Sequence, residues 1–256
     1  MSYQYESECT FIKEKVLEAS KLLAADFVVR EKMPRDVVTS NDYAVEKYLE
    51  EAILARFPED VIVSEESNQT LKKAHRLWVM DPIDGTTNYT RGIAMYGIQL
   101  AFVVDGAVEL SVIYYVVLKE LYVAKRNYGS FCNDRPIHVG SNQSLSQAIV
   151  SLGDFSTSNE FRNGRMLNLI RGLMNRVYKL KIHGSACVDM VFVAAGKTDI
   201  HVMSAHHPWD YLPGLLLVHE AGGFVEQDLI DNFGLERTLM VVGSTQELSE
   251  KIQLLL

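Results

Sequence analysis

The stretch that says most about the fold spans residues 76–89 and reads RLWVMDPIDGTTNY. Its apolar start, residues 77–80, is typical of a buried strand, and Pro82 lacks the N–H that a strand ladder needs. Asp81 is therefore predicted at the end of a strand. Asp84 and the glycine, threonines and asparagine after it favour turns and caps. The stretch predicts a strand that delivers two acids to a turn.

Two carboxylates three residues apart on such a turn, those of Asp81 and Asp84, can converge on one cation. The amides that follow Gly85 can face an anion. Ligands that are all hard oxygens favour magnesium over zinc. Taken alone, the motif is equally compatible with an Asp-Gly surface turn capped by threonines.

Further acids stand at comparable positions elsewhere in the chain. Glu65 and Glu66 follow the short apolar run 61–63, where like charges repel unless a cation or solvent relieves them. Asp210 follows Trp209 and precedes an apolar helical run that Ala-Gly-Gly ends. Asp210 is either the N-cap of that helix or a metal ligand that also benefits from the positive end of the helix dipole.

The hydrophobic periodicity predicts two opening helices, at about 6–29 and 44–57, with Ser40, Asn41 or Asp42 as the cap of the second. Asp105-Gly106 between apolar runs predicts a hairpin and hence an antiparallel sheet. From residue 148 onward, strand-like and helix-like segments alternate. No linker separates the halves, so we predict one domain over residues 1–256, with sub-domains at roughly 1–140 and 141–256.

The composition narrows the class of protein. With 48% hydrophobic residues the chain can bury a continuous core, and its net charge of -8 makes nucleic acid an unexpected partner. Three cysteines without a Cys-x-x-Cys pair indicate neither a disulfide framework nor a zinc site. No signal peptide or membrane-length apolar run is visible. We therefore expect a cytoplasmic protein with no membrane partner.

Residues 78–89 and 209–223 resemble the two signatures of the inositol monophosphatase family, and the layout is similar over nearly the whole chain, including residues 36–42. The resemblance implies a layered αβαβα sandwich of the inositol monophosphatase and fructose-1,6-bisphosphatase type. It also implies a magnesium-dependent, lithium-sensitive phosphoric monoester hydrolase that acts on a small phosphorylated metabolite. A homodimer is a further expectation from the resemblance.

Carried over residue by residue, the resemblance implies two or three Mg²⁺ ions per site. One would be held by Glu65, Asp81 and the Ile83 carbonyl, and another by Asp81, Asp84 and Asp210. The catalytic residues would be Glu65 and Thr86, which orient the attacking water, together with Asp84. Substrate and phosphate would contact Gly85, Thr86, Thr87, Asp210, Ser185 and His183. Glu66 and Asp42 would support the ligands from behind or take part in a third metal site.

The sequence departs from the family pattern at two places. Met203 stands where many relatives that hydrolyse inositol phosphates carry an acid that grips the sugar hydroxyls, so inositol itself is in doubt. Fructose 1,6-bisphosphate, NADP, 3'-phosphoadenosine 5'-phosphate and histidinol phosphate stay open as substrates. Pro213 replaces a small residue, and we expect it within the first turn of its helix, where proline is tolerated.

Several basic groups have two interpretations each. His206 and His207 either contact the leaving group or form polar surface. Lys32 and Arg35 either assist the phosphate or are solvated charges, and we favour the solvated interpretation.

Two other functions compete with this hypothesis. Haloacid-dehalogenase-type phosphatases use an aspartyl nucleophile, but they place their two acids two residues apart, whereas Asp81 and Asp84 are three apart. A non-enzymatic role in binding a protein or RNA is the other. The intact acidic set argues against the loss of activity that this role implies, and the negative charge argues against RNA.

Overall fold

The computed structural model describes residues 3–23, 26–33, 36–70, 74–156 and 159–256. The helices are α1 Glu6–Ala19, α2 Ser40–Arg56, α3 Thr86–Thr90, α4 Glu160–Leu173, α5 Ala186–Ala194, α6 Pro208–Glu220, α7 Gln227–Asp231 and α8 Gln246–Gln253. The strands are β1 Val29–Met33, β2 Asp36–Thr39, β3 Val61–Ser64, β4 Arg76–Asp84, β5 Gly97–Val104, β6 Ala107–Tyr115, β7 Glu120–Lys125, β8 Gly129–Cys132, β9 Arg135–Pro136, β10 Ile149–Leu152, β11 Lys179–Lys181, β12 Ile200–Ala205 and β13 Arg237–Gly243.

A seven-stranded sheet has the order β3-β4-β5-β6-β7-β8-β9 and is antiparallel except for the pair β3 and β4. The hairpin predicted at Asp105-Gly106 is confirmed, because both residues have positive φ, 49° and 90°. The parallel pair places Ser64 beside Met80. It therefore brings the chain that leaves β3 and the last residues of β4 to the same edge of the sheet.

A second sheet has the order β11-β10-β12-β13. Alternation along β4 explains how the layers stack, since Trp78 and Met80 pack under α1 and α2 whereas Leu77 and Val79 pack against α5 and α6. The second sheet covers the other side of α5 and α6, and α4 and α8 cover its far face. The αβαβα architecture is confirmed.

The opening helix is shorter than predicted. α1 ends at Ala19 and a 3₁₀ turn continues only to Leu22, while Val29 begins a strand that pairs with β2. The apolar residues near that position do not face the core, since Val28 is 61% exposed. The cap of α2 also differs: Thr39 accepts from the Asn41 amide, and Asp42 accepts from the Thr39 amide. Thr39 and Asp42 form a capping box that fixes the start of α2.

Two prolines sit differently from the prediction. β4 continues through Pro82, and a shift of register between Asp81 and Asp84 accommodates the missing N–H. α6 starts at Pro208 and has His207 as its cap, so Asp210 lies inside the first turn and Pro213 lies beyond it. The prediction of Pro213 in the first turn is therefore wrong.

The division of the chain into two sub-domains near residue 140 stays a prediction. The boundary between the two sheets falls there, but α5 and α6 pack on both sheets. Among the described residues, no helix is both long and apolar enough to cross a membrane.

Candidate active site

The acids predicted from the sequence meet in one cleft at the edge of the first sheet. Glu65 follows β3, and Asp81 and Asp84 lie among the last four residues of β4. Asp210 reaches the cleft from the first turn of α6. The cleft has a volume of about 160 Å³, and Ile83 also lines it. Four carboxylates from three separate segments therefore share one small space.

The surroundings of these carboxylates disfavour their charged forms. Asp81 is 2% exposed, and burial raises its pKa well above the ordinary value, with a further increase from the charges of Glu65, Asp84 and Asp210. Burial and the charge of Glu65 raise the pKa of Asp210 in the same way. A bound cation would remove this repulsion.

Asp84 is held in place by the start of α5. The Ser185 hydroxyl and the Cys187 amide each donate to Asp84 Oδ2 at 2.6 Å, and the Ala186 amide donates to Oδ1 at 3.3 Å. Burial still raises the pKa of Asp84, although these donors oppose the shift. Ser185 therefore contacts the carboxylate behind the cleft, and it is 5% exposed.

His183, the other candidate from this segment, is also engaged within the wall. Its Nδ1 lies 2.6 Å from Asp189 Oδ1, and its main-chain carbonyl accepts from the Asn88 side chain. The cleft itself is lined by the neighbouring Gly184. Direct contact of His183 or Ser185 with substrate stays a prediction, and the geometry assigns both side chains to positioning.

Thr86 lines the cleft at the end of the turn. Its Oγ1 lies 2.9 Å from the Ile83 carbonyl oxygen and 3.1 Å from Asp42 Oδ1. Burial raises the pKa of Asp42, which is also the carboxylate of the α2 capping box. Asp42 thus links the start of α2 to Thr86. Thr87, the next residue, is exposed and also lines the cleft.

Gly85 makes this turn possible because its φ is +89°. A Cβ at this position would lie 2.9 Å from the Met95 carbonyl oxygen and 3.1 Å from Ser185 Cβ. The close approach explains why the chain needs glycine between the acid at 84 and Thr86.

Lys32 contradicts the interpretation of a solvated charge. Its Nζ lies 3.1 Å from Glu65 Oε1 and 2.5 Å from Glu66 Oε1, and its side chain is 19% exposed. The hairpin of β1 and β2 carries Lys32 over the acids. Burial and the charge of Glu65 raise the pKa of Glu66 to about 7, although Lys32 opposes the increase. Arg35 lies outside the described residues.

The residues present fit magnesium by the chemistry of their donors. Every candidate ligand is an oxygen atom, from a carboxylate or from the Ile83 carbonyl, which is the donor type that Mg²⁺ prefers. Within the described ranges, no three Asp, Glu, His or Cys side chains are already positioned to hold a metal ion together. The crowding of buried like charges is the feature that calls for a cation.

Removing Lys32 should strengthen binding of magnesium. An ammonium 3.1 Å from a candidate ligand repels a second cation, so Lys32→Met should lower the half-saturating Mg²⁺ concentration by about three- to tenfold. Titration calorimetry on the two proteins measures this. The matched control is Lys47→Met, which removes an exposed lysine paired only with Glu51. Weaker Mg²⁺ binding in Lys32→Met would show that the ammonium assists the cation.

Two cavities next to the cleft contain residues that the sequence did not reveal. The inner one, about 210 Å³, is lined by Asp154, Arg162, His201 and Met203, and by Asp84 and Asp210 of the cleft. His201 is fully buried, and its Nε2 has no hydrogen-bond partner among the described residues. Asp154 had a signal, since it follows the end of β10 as Glu65 follows β3. Arg162 and His201 had none.

The outer cavity is larger, about 480 Å³, and also borders Asp210. His206 and His207 line it, and their contact with a leaving group stays a prediction. His206 Nδ1 lies 3.3 Å from Glu236 Oε2, and the ring of His207 stacks on Trp209 at 5.0 Å. The two histidines therefore lie in the wall of a cavity that borders Asp210.

Comparison with known proteins agrees with this geometry. The profile described as "Inositol monophosphatase family" matches residues 5–253. The "Fructose-1,6-bisphosphatase/inositol-1-monophosphatase" of Thermotoga maritima is 35% identical over 191 residues, which are 75% of this chain and 71% of that protein. The "Nus factor SuhB" of Pseudomonas aeruginosa is 32% identical over 222 residues, 85% of this chain and 82% of that one.

The fold also has counterparts among solved structures. A crystal structure of the extragenic suppressor protein suhB from Bartonella henselae superposes with a TM-score of 0.87 at 26% identity, covering 97% of this chain and 98% of the other. The family profile spans nearly the whole chain, and two relatives share more than 30% of their residues with it over most of their length. The chain belongs to the inositol monophosphatase family.

Proposed function

We propose that this protein is a magnesium-dependent phosphatase that hydrolyses a small phosphomonoester by direct attack of water. The observation that carries the proposal is the cleft of four crowded carboxylates, those of Glu65, Asp81, Asp84 and Asp210. Burial raises the pKa of each, and the charges of neighbouring carboxylates raise the pKa values of Asp81 and Asp210 further. Such a cluster is stable in its charged form only with a bound cation. Family membership supports a phosphatase, and the roles below are those that the geometry favours.

In this proposal Glu65, Asp81 and the Ile83 carbonyl would hold one Mg²⁺, and Asp81, Asp84 and Asp210 would hold a second. Bound magnesium lowers the pKa of water and neutralises charge that gathers on the phosphoryl oxygens. Glu66 and Asp42 support the site from behind or take part in a third metal site.

The remaining chemistry is assigned to side chains and amides of the turn after β4. The Thr86 hydroxyl donates to Asp42 or to the Ile83 carbonyl, so its oxygen is free to accept a hydrogen bond from the attacking water. Glu65 accepts the second hydrogen bond of this water, which fixes the direction of attack, and takes its proton as the new P–O bond forms. The P–O bond to the leaving group breaks, and the leaving oxygen takes a proton from solvent. The Gly85 and Thr86 amides hold the phosphate oxygens, and Thr87 lies at the exposed rim. No side-chain nucleophile is needed.

The substrate is proposed only as a class. Inositol monophosphates and fructose 1,6-bisphosphate are candidates because a 35% identical relative carries both activities in its name. Met203, which is 6% exposed in the wall of the inner cavity, cannot accept hydrogen bonds from sugar hydroxyls as an acid would. A cytoplasmic location, a homodimer and inhibition by lithium are proposed from family membership alone.

The direct test is phosphate release from a panel of phosphomonoesters, measured with EDTA and after Mg²⁺ is added back. We expect turnover only with magnesium. A parallel rapid-quench experiment should find no phospho-aspartate, because water attacks directly. Absence of turnover on the whole panel would refute the enzymatic proposal, and a trapped phospho-aspartate would replace the mechanism with the dehalogenase type.

A second candidate is a non-enzymatic binding role. The observation that favours it is the 32% identical relative named "Nus factor SuhB". The cleft opposes it as the sole role, because a protein that only binds a partner has no need of four acids crowded into one small space. The same turnover assay separates the two candidates.

A further inference from the structure

Arg162 lies in the first turn of α4 and lines both cavities that border Asp210. Its main-chain amide donates to Asn159 Oδ1 at 2.9 Å, which caps the helix and fixes the position of the residue. One side chain therefore lines two cavities that each border Asp210 of the cleft.

The guanidinium of Arg162 has no carboxylate partner within salt-bridge distance in the described part of the chain. Its Nη1 donates to Ser204 Oγ at 2.8 Å and its Nη2 donates to the Asp154 main-chain oxygen at 3.1 Å. Arg76, Arg126 and Arg237, in contrast, each pair with two carboxylates or more. Two neutral contacts position the Arg162 group and leave other N–H donors unused.

Partial burial makes this unpaired cation costly. Burial lowers the pKa of Arg162, and the nearby charges of Asp210 and Asp154 only partly compensate. Asp210 is a candidate metal ligand, so a bound cation would neutralise its charge and Asp210 would no longer compensate the charge of Arg162. A positive charge that is withdrawn from water and lacks a fixed counter-ion is a natural site for an anionic ligand.

The walls of the outer cavity favour the same ligand. Ser204, Asn159, His206 and His207 supply donors, and the Glu236 carboxylate lies against His206. The inner cavity is lined by Met203 but also by the carboxylates of Asp84, Asp154, Asp189 and Asp210, which repel an anion, so the outer cavity is the place for the anionic group. A volume of about 480 Å³ accommodates the distal part of a small metabolite.

We propose that Arg162 binds a second anionic group, a carboxylate or a second phosphate, on the leaving group of the substrate. The inference rests on the proposed phosphatase function and names its substrate class. The phosphate to be cleaved lies at the Asp81–Asp84 turn, the leaving group passes Asp210, and its anionic end meets the planar guanidinium, which matches the two oxygens of a carboxylate or phosphate. Monophosphates of neutral polyols leave Arg162 without a partner.

The turnover test compares matched substrates on the Mg²⁺-loaded enzyme. Fructose 1,6-bisphosphate against fructose 1-phosphate isolates a second phosphate, and 3-phosphoglycerate against glycerol 3-phosphate isolates a carboxylate. We expect the native protein to prefer one anionic member, which also identifies the source. Arg162→Gln should lower kcat/KM for that substrate by about 10- to 100-fold, the range of a lost charge-assisted pair, and leave its neutral counterpart unchanged. Arg162→Lys should fall between.

The matched control is Arg165→Gln. Arg165 lies one turn later on α4, and its guanidinium donates to the main-chain oxygen of Leu256, away from both cavities. The Arg165→Gln substitution removes the same charge from the same helix, so this variant should have the native kcat/KM with every substrate. Equal losses in the two variants would mean that only net charge or helix stability matters, and would overturn the proposal.

A binding test separates this proposal from the proposed function. In EDTA the acidic cleft repels anions, so inorganic phosphate bound by the metal-free protein reports on Arg162. Equilibrium dialysis should show at least fivefold weaker phosphate binding in Arg162→Gln than in the native protein and Arg165→Gln. No binding to the native protein, or equal binding to all three, overturns the proposal. Absence of turnover on every substrate would refute the proposed phosphatase function. The dialysis result would then decide by itself whether Arg162 binds an anion.

Discussion

Asp81→Asn and Asp210→Asn should each lower kcat/KM by about three orders of magnitude or more, because each removes the charge of a candidate metal ligand. The several kcal/mol that a bound cation contributes to a phosphoryl transition state corresponds to a loss of this size. The substitutions keep the shape of the side chains, which are buried or nearly so in the cleft. Steady-state rates at saturating Mg²⁺ measure the effect.

The same variants should be more stable than the native protein when no metal is present. Burial and the neighbouring charges of Glu65 and Asp84 penalise the charged forms of both residues, so neutral asparagine relieves a repulsion. Melting curves in EDTA should therefore shift upward. A residue whose charge stabilised the fold would shift them downward, so activity and stability together separate a metal-binding role from a structural one.

Asp60→Asn is the control for this pair. Asp60 is also buried, but it accepts from Arg76 Nε at 2.6 Å and from Trp78 Nε1 at 2.8 Å, away from the cleft. Its neutralisation should destabilise the protein and leave the turnover of folded molecules unchanged. Near-normal rates in both Asp81→Asn and Asp210→Asn would refute the proposed metal site.

The acids of the cleft could be predicted because local patterns place them. Glu65 and Asp81 each follow an apolar run, and strands of that kind end at a sheet edge. What the pattern does not contain is that β3 and β4 are parallel neighbours, which puts the two acids side by side. The family resemblance supplied that proximity.

Other features could not be predicted because they depend on contacts distant in sequence. Lys32 approaches Glu65 because β1 pairs with β2, whereas the apolar spacing predicted a helix up to residue 29. Arg162 and Asp210 line the same two cavities only because α4, the end of β12 and the start of α6 border them together. No spacing along the chain encodes either arrangement.

The affinity of the cleft for Mg²⁺ should rise steeply with pH. Burial and mutual repulsion raise the pKa values of Asp81, Asp210 and Glu65, and Mg²⁺ binds only the deprotonated carboxylates. Each proton that the cation displaces changes the apparent affinity by about tenfold per pH unit below the raised pKa, so two displaced protons give about 100-fold. Calorimetric titrations at several pH values measure the slope, which should be smaller in Asp210→Asn.

The stability of the metal-free protein should have the opposite dependence on pH. These carboxyls have higher pKa values in the folded state than in the unfolded chain, where acids titrate near pH 4. Between the two pKa values, the folded state therefore carries more protons than the unfolded chain, and a rise in pH destabilises it. The free energy of unfolding in EDTA should therefore fall from about pH 4 up to at least pH 7, where Glu66 titrates. Saturating Mg²⁺ should abolish the decline, because it stabilises the charged forms. A melting temperature in EDTA that stays constant or rises across this range would contradict the prediction. It would mean that the carboxylates do not repel one another enough in the folded state to raise their pKa values.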